Sequence, residues 1–442
     1  MVGYPLHTTY EQTDRHWVHM SLVRRTSVAA VAVTALVLAL VMTLVASGAF
    51  GAAGPGNDKR WVAAQSKSTQ AKAMAMSARR AANGGKARLV TFNDRILGAQ
   101  PVLSYRGVAD PTVARYPGGW VAVATGPAAP RAIAPQPGGP WQNIPSALTL
   151  LPSWAISGRI WASDLVQVNG VWTLYFSAEV AGLGLDGRCI GTATASDPTQ
   201  TFVPDERPLV CPRQAVAPPA YDKIKRRDRG MPRGGVIDPD YFKDKGGKQY
   251  LLYRTQGTPS SIRIVELPSS GRGDGPPARS SELVRHPGVI ENPSLIRRGR
   301  QYVLLTSEGD FRQCSYKTTF RRSVRLTDWS RSDRQVLVDT KKSGLCGPGG
   351  ADLGRGPGGE PMLFFHAWTC PELGGNCPGG NVYSRAPLYD ARRSLFAGVL
   401  RFTNRQSPRI ASYVAPIAAP PPTPTATPTE SPTATVTRKP NR

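Results

Sequence analysis

Arg115–Gly126 reads RYPGGWVAVATG: a turn on Pro117-Gly118-Gly119, then an alternating aromatic and apolar run ending in small polar residues. Alternation of this kind marks a half-buried strand, and a glycine turn between two such runs marks a β-hairpin. Four later stretches repeat the grammar. They are Gln167–Ala178 (QVNGVWTLYFSA), Phe242–Thr255 (FKDKGGKQYLLYRT), Leu295–Ser307 (LIRRGRQYVLLTS) and Gly354–Trp368 (GRGPGGEPMLFFHAW). Their turn glycines Gly119, Gly170, Gly247, Gly299 and Gly359 lie about 50 to 80 residues apart, room for a four-stranded sheet and a loop per unit. No long helical period competes between 88 and 413. Five copies of one hairpin predict an all-β chain folded as a five-bladed β-propeller. Two packed sheets are the alternative that alternation alone also allows.

An acid stands ahead of each hairpin. Asp110 lies in Gly107-Val108-Ala109-Asp110-Pro111-Thr112-Val113, Asp238 in Val236-Ile237-Asp238-Pro239-Asp240, and Glu291 in Val289-Ile290-Glu291-Asn292-Pro293-Ser294. Asp164 precedes the second hairpin and Asp352 the fifth. Proline holds the residue before it in extended geometry and cannot donate to a central ladder. An acid at such a place is expected at a strand end, pointing out of it. Equivalent positions on the innermost strands of a propeller ring its channel, so these carboxylates are expected to converge. Like charges gathered in a funnel push one another's pKa values apart, as a general acid and a general base require. Asp-Pro also marks ordinary turns; the ordered set, not any one tripeptide, carries the weight.

That set, Ala109-Asp110-Pro111, Trp161-Ala162-Ser163-Asp164, Ile237-Asp238-Pro239 and Glu291-Asn292-Pro293, resembles the family 43 glycoside hydrolases. These are five-bladed propellers that include arabinanases, arabinofuranosidases and β-xylosidases, and the similarity spans residues 100 to 370. The resemblance implies a glycosidase acting on pentose-containing (arabinose or xylose) glycans. It implies Asp110 as the base that activates water, Asp238 as the carboxyl that tunes and orients the acid, and Glu291 as the acid. The family inverts the anomeric centre, which asks for acid and base about 6.5–9.5 Å apart. For substrate binding, Trp161 is the candidate stacking face and Asp164 a hydrogen-bond acceptor. His366, in Phe364-Phe365-His366-Ala367, matches a Tyr-His-Ala-like segment and is a candidate for the channel. Many members carry Gly-Pro-Gly-His in the fifth blade, its histidine helping to hold a metal; here the stretch is Gly347-Pro348-Gly349-Gly350. No metal ligand is therefore assigned, and calcium is the one cofactor left open. Ser163 also replaces the usual proline of Trp-Ala-Pro-Asp. A catalytically inactive propeller that binds envelope or extracellular carbohydrate is the competing class, and the three retained acids speak against it.

The rest of the chain concerns placement. Residues 1–26 read as a cytoplasmic tail and 27–51, without a charge, as a transmembrane anchor or signal segment, with Arg24 and Arg25 before it and small residues around Ala46-Ser47-Gly48. Residues 52–87 read as a linker, 88–413 as the propeller, and 414–442 as a disordered Pro/Thr-rich tail. The domain is thus expected outside the cytoplasm, held at the plasma membrane or secreted. All six cysteines lie beyond the apolar segment, which predicts three disulfides. The simplest of the 15 pairings is sequential: 189 with 211, 314 with 346, 370 with 377. No pair has CxxC spacing and only His286 and His366 lie in the folded region, which disfavours zinc. A net charge of +25 draws the chain to polyanions. With no nucleic-acid-binding motif present, anionic envelope polymers are the expected partners, and a monomer is expected. Tyr221–Arg229 reads as a charged, solvated insertion.

Overall fold

A computed structural model describes residues 99–104, 107–224 and 234–418. The anchor expected at 27–51, the linker at 52–87, most of the tail at 414–442 and Lys225–Arg229 of the charged insertion lie outside the described residues. Among the described residues no helix is long and apolar enough to cross a membrane.

The described residues are almost wholly strand and turn, in five successive units that are antiparallel save for one short parallel pair at the edge of the second. The first holds β1 (Ala109–Tyr116), β2 (Gly119–Pro127), β3 (Arg131–Ala134) and β4 (Gln142–Ile144). The second holds β5 (Arg159–Val168), β6 (Val171–Glu179) and β7 (Arg188–Ala195), edged by short β8 (Val203–Pro204), β9 (Val210–Pro212) and β10 (Asp222–Ile224). The third holds β11 (Val236–Lys243), β12 (Gln249–Thr255), β13 (Ser260–Leu267) and β14 (Ser281–His286). The fourth holds β15 (Ile290–Arg298), β16 (Gln301–Glu308), β17 (Lys317–Ser323) and β18 (Gln335–Val338), and the fifth β19 (Cys346–Arg355), β20 (Pro361–Thr369), β21 (Arg392–Phe402) and β22 (Pro408–Tyr413). All five predicted hairpins are the first two strands of these units, and all five turn glycines have positive φ.

Packing explains why the second strands read as near-continuous apolar runs. The first five apolar clusters each lie between successive units: Val121 and Val123 against Leu174 and Phe176, then Tyr175 against Leu251 and Tyr253. Leu252 meets Leu304, Leu305 meets Leu363 and Phe365, and Phe364 meets Trp120 and Ala122, which returns to the first unit. Each sheet is thus covered on both faces, so its middle strand cannot alternate with water. The innermost strands β1, β5, β11, β15 and β19 contact one another in a closed cycle. This is the propeller arrangement, five blades around a channel.

Both ends of the ring close on the fifth blade. Val102 donates its N–H to Leu395 and Val108 to Arg393, so the segment before β1 pairs with β21. Beyond β22, Val414 bonds Ala397 and Ile417 bonds Gly138 of the first blade. The first residues of the expected tail are thus tied by backbone bonds to the fifth and first blades, although 415–417 remain exposed. The charged insertion is likewise divided: its start is buried as β10, where the Asp222 carboxylate accepts from the Tyr253 hydroxyl at 2.8 Å. The disulfides pair sequentially, Cys189–Cys211, Cys314–Cys346 and Cys370–Cys377.

Candidate active site

The acids do not precede the hairpins; they lie within the first strands, at a bulge that all five blades share. Between Ala109 and Thr112, Trp161 and Asp164, Ile237 and Asp240, Glu291 and Ser294, and Gly349 and Asp352, three steps on the innermost strand oppose two on its neighbour. The middle residues Asp110, Ala162, Asp238, Asn292 and Gly350 all have positive φ, from 26° to 58°. The extended geometry expected before proline is therefore overruled at Asp110, Asp238 and Asn292. Asp and Asn tolerate this region best among residues with a side chain, and the strain costs about 1–3 kcal/mol per site.

Each bulge is held by the preceding blade. The N–H of Ala162 goes to Thr125 Oγ1, that of Asp238 to Ser177 Oγ, that of Gly350 to Ser307 Oγ and that of Asp110 to His366 Nδ1. These acceptors are the small polar or histidine ends of the second strands. Between blades three and four, Asp238 itself accepts the N–H of Asn292 at 3.0 Å.

The bulge sorts the acids. Asp110, Asp238 and Glu291 line one cleft of about 590 Å³, with Trp161, Phe311 and Arg393. Asp110 and Glu291 stand on the first and fourth blades, with the fifth between them. Burial pushes the Asp110 pKa up, but the charge of Arg393, with a 2.9 Å bond from Thr125, leaves it lowered. Glu291 accepts from Arg254 and, at 2.7 Å, from the Tyr316 hydroxyl; burial nevertheless outweighs them and raises its pKa. Asp238 is raised to about 8, chiefly by burial, then opposed by Arg254 and supported by the negative charges of Glu291 and Asp110. One carboxylate kept ionised and two inclined to hold a proton is the division acid/base chemistry needs.

Trp161 is half-buried, with the guanidinium of fully buried Arg188 stacked 3.7 Å from its ring centroid. Trp141 and Trp154 belong instead to apolar clusters between blades. Phe311 and Tyr383 form an edge-on pair, centroids 5.9 Å apart, at another part of the cleft. Arg254, Tyr316, Thr125, Arg393 and Phe311 were not singled out in the sequence. Thr125 alone left a signal, as the polar end of its hairpin.

Asp164 and Asp352 lie two residues past the bulge, off the cleft lining, and with Asp240 they surround a hole of about 30 Å³ that Asp110 and Asp238 also reach. Asp164 accepts from Thr112 at 3.3 Å and from the Tyr241 N–H at 2.6 Å; Asp240 accepts from Leu295, and Asp352 from Val113. Each clasps the next blade, which accounts for Asp164 without a substrate contact. His366 is also away from the cleft lining: it is fully buried and stacked on Tyr316 at 5.9 Å. Burial, then the charge of Asp352, raises the pKa of Asp164 from 3.8 to about 8; burial with the charges of Asp164 and Asp352 raises that of Asp240, and burial raises that of Asp352. A carboxyl with a raised folded-state pKa binds more protons folded than unfolded, so stability falls as pH rises through the window between the two values. Thermal stability is expected to drop between pH 4 and pH 8 on this account, by up to about 1.4 kcal/mol per pH unit per group. Asp164→Asn should flatten the dependence; an unchanged slope in calorimetry would refute the protonated clasp.

The channel does not fit the family's metal. A Cβ added at Gly350, where the histidine of Gly-Pro-Gly-His would stand, falls 2.4 Å from His366 Nδ1 and 3.0 Å from Asp110 Oδ1. His366 accepts the Asp110 N–H on Nδ1, so its neutral ring carries the proton on Nε2, a donor rather than a ligand. Burial, with Arg393 beside it, brings its pKa down to about 3. Among the described residues no group of three or more His, Cys, Asp or Glu is arranged to hold a metal ion.

A family model described as glycosyl hydrolases family 43 matches residues 139–389, more than half the chain. The match includes Asp238 and Glu291 and begins after Asp110. Among solved structures, a thermostable family-43 glycoside hydrolase is 17% identical, covering 73% of this chain and 97% of its own, with a TM-score of 0.52. The α-L-arabinanase of Cellvibrio cellulosa is 19% identical over 71% of this chain and 99% of its own (TM-score 0.52). An endo-1,4-β-xylanase from Bacteroides thetaiotaomicron is 17% identical over 72% and 99% (TM-score 0.51). At this identity the three likenesses show a common fold.

Proposed function

Because the chain belongs to glycosyl hydrolase family 43, we propose that it is a glycosidase that cleaves pentose-containing glycans of the arabinan or xylan type with inversion. The observation that carries the proposal is the single cleft in which Asp110, Asp238 and Glu291 meet, with Asp110 driven toward the carboxylate and Glu291 toward the acid. Glu291 protonates the departing glycosidic oxygen while Asp110 takes a proton from the attacking water, in one displacement. Asp238 lines the same cleft and accepts the N–H of Asn292, the residue after Glu291, so it steadies the acid. The free face of Trp161 and the Phe311–Tyr383 pair are the proposed surfaces for sugar rings. The same proposal puts the domain outside the cytoplasm as a monomer, held at the membrane or released, where its positive charge favours anionic envelope polymers.

The test is sugar release by the purified protein from arabinan, arabinoxylan, xylan and aryl pentosides, with the anomer first formed read by proton NMR. Release with inverted configuration is expected. Retention would refute the single displacement, and saturable binding without hydrolysis would move the protein to the carbohydrate-binding class.

A further inference from the structure

We propose that Arg393 is the positioning residue of the base: its guanidinium is the cation paired with Asp110, and it holds Asp110 ionised without a metal ion. This rests on reading Asp110 as the base. Arg393 Nη1 lies 3.4 Å from both carboxylate oxygens of Asp110, an ion pair centred on the carboxylate rather than a tight bond to one oxygen. Its side chain is only 16% exposed, so water screens the pair weakly.

The guanidinium is held from both sides. It lies 4.9 Å from the ring centroid of Phe311 and 6.0 Å from that of Trp368, and the Trp368 indole N–H donates to the Phe311 carbonyl at 2.8 Å. Phe311 sits on the β16–β17 loop, which Cys314–Cys346 ties to the start of β19 and a Val382 to Arg312 bond ties to the β20–β21 loop. The Arg393 carbonyl accepts from Val108, two residues before Asp110. Cation and carboxylate are thus fixed to each other through two blades and the ring closure. Other groups facing Asp110 cannot replace this charge. His366 is neutral at working pH, Thr125 supplies only a neutral bond, and Asp238, Glu291 and Tyr316 bring negative or neutral groups.

The experiment follows the Asp110 carboxyl by carbon NMR in protein labelled at aspartate Cγ, with the signal assigned by its loss in Asp110→Asn. In the parent it should titrate below the ordinary aspartate range. In Arg393→Met, which keeps the stem over both rings, it should move up by a pH unit or more, and Arg393→Lys should restore most of the shift. The acid limb of kcat/KM should move with it. EDTA and added calcium should leave both Tm and the parent titration unchanged. Phe311→Leu, which keeps the arginine but loosens its seat, should move the titration in the same direction by less. An unmoved Asp110 signal in folded Arg393→Met, or a titration or Tm that depends on calcium, overturns the proposal. Failure of the parent to hydrolyse any glycan would strike the functional reading alone, since the titration does not depend on turnover.

Discussion

Glu291→Gln is expected to lower kcat/KM on a natural glycan by about 10²–10⁴-fold, the usual worth of a placed proton donor. Gln keeps the volume, and its carbonyl oxygen still accepts from Arg254, so the fold and Tm should hold. What disappears is the proton. Burial raises the Glu291 pKa against the pull of Arg254 and Tyr316, which favours the proton-holding form. A leaving group that needs no proton removes the penalty: on dinitrophenyl pentosides the variant should fall far less than on alkyl glycosides. Equal loss on both would remove Glu291 from the role of acid.

Asp110→Asn is expected to cost a comparable factor, with the opposite leaving-group pattern. Its carboxylate is kept ionised by Arg393 and Thr125, as a base acting on water requires. An amide accepts no proton, so alkyl and aryl substrates should lose alike. The acid limb of the parent's pH profile should report the lowered Asp110 pKa and the alkaline limb the raised carboxyls across the cleft. The pair of variants thus separates the two roles by chemistry, independently of the position of either residue in the fold. A strong dependence on the leaving group in Asp110→Asn would reverse the assignment.

Much of this was legible in the chain. Five glycine hairpins are local, each set by a turn residue and an alternating run, and a local signal survives without knowledge of its neighbours. The cysteine pairing is the simplest of the 15 that order allowed, and it was the structure that chose it. The sorting of the acids was not legible. Asp110, Asp238 and Glu291 share a cleft that Asp164 and Asp352 do not line, because one extra residue in every inner strand changes which side chains face it. Proline pointed to extended geometry there, and the positive φ of Asp110 and Asp238 shows that the bulge prevailed. A bulge is a relation between two strands, and single-strand propensities do not contain it.

The sequence by itself determined the unit: hairpin, acid and a polar end to each second strand, five times over, with the charge and cysteines of the chain. Tertiary structure decided what those polar ends are for. Thr125, Ser177, Ser307 and His366 each accept the bulge N–H of the next blade, so the bulge of one unit is fixed by the previous one. It also brought Arg254, at the end of the third hairpin, and Arg393, from a strand that carries no motif, onto Glu291 and Asp110. Charge interactions act through space across blades about 40 to 280 residues apart in the chain. Sequence order carries no record of that distance, so the electrostatics of the site exist only once the ring has closed.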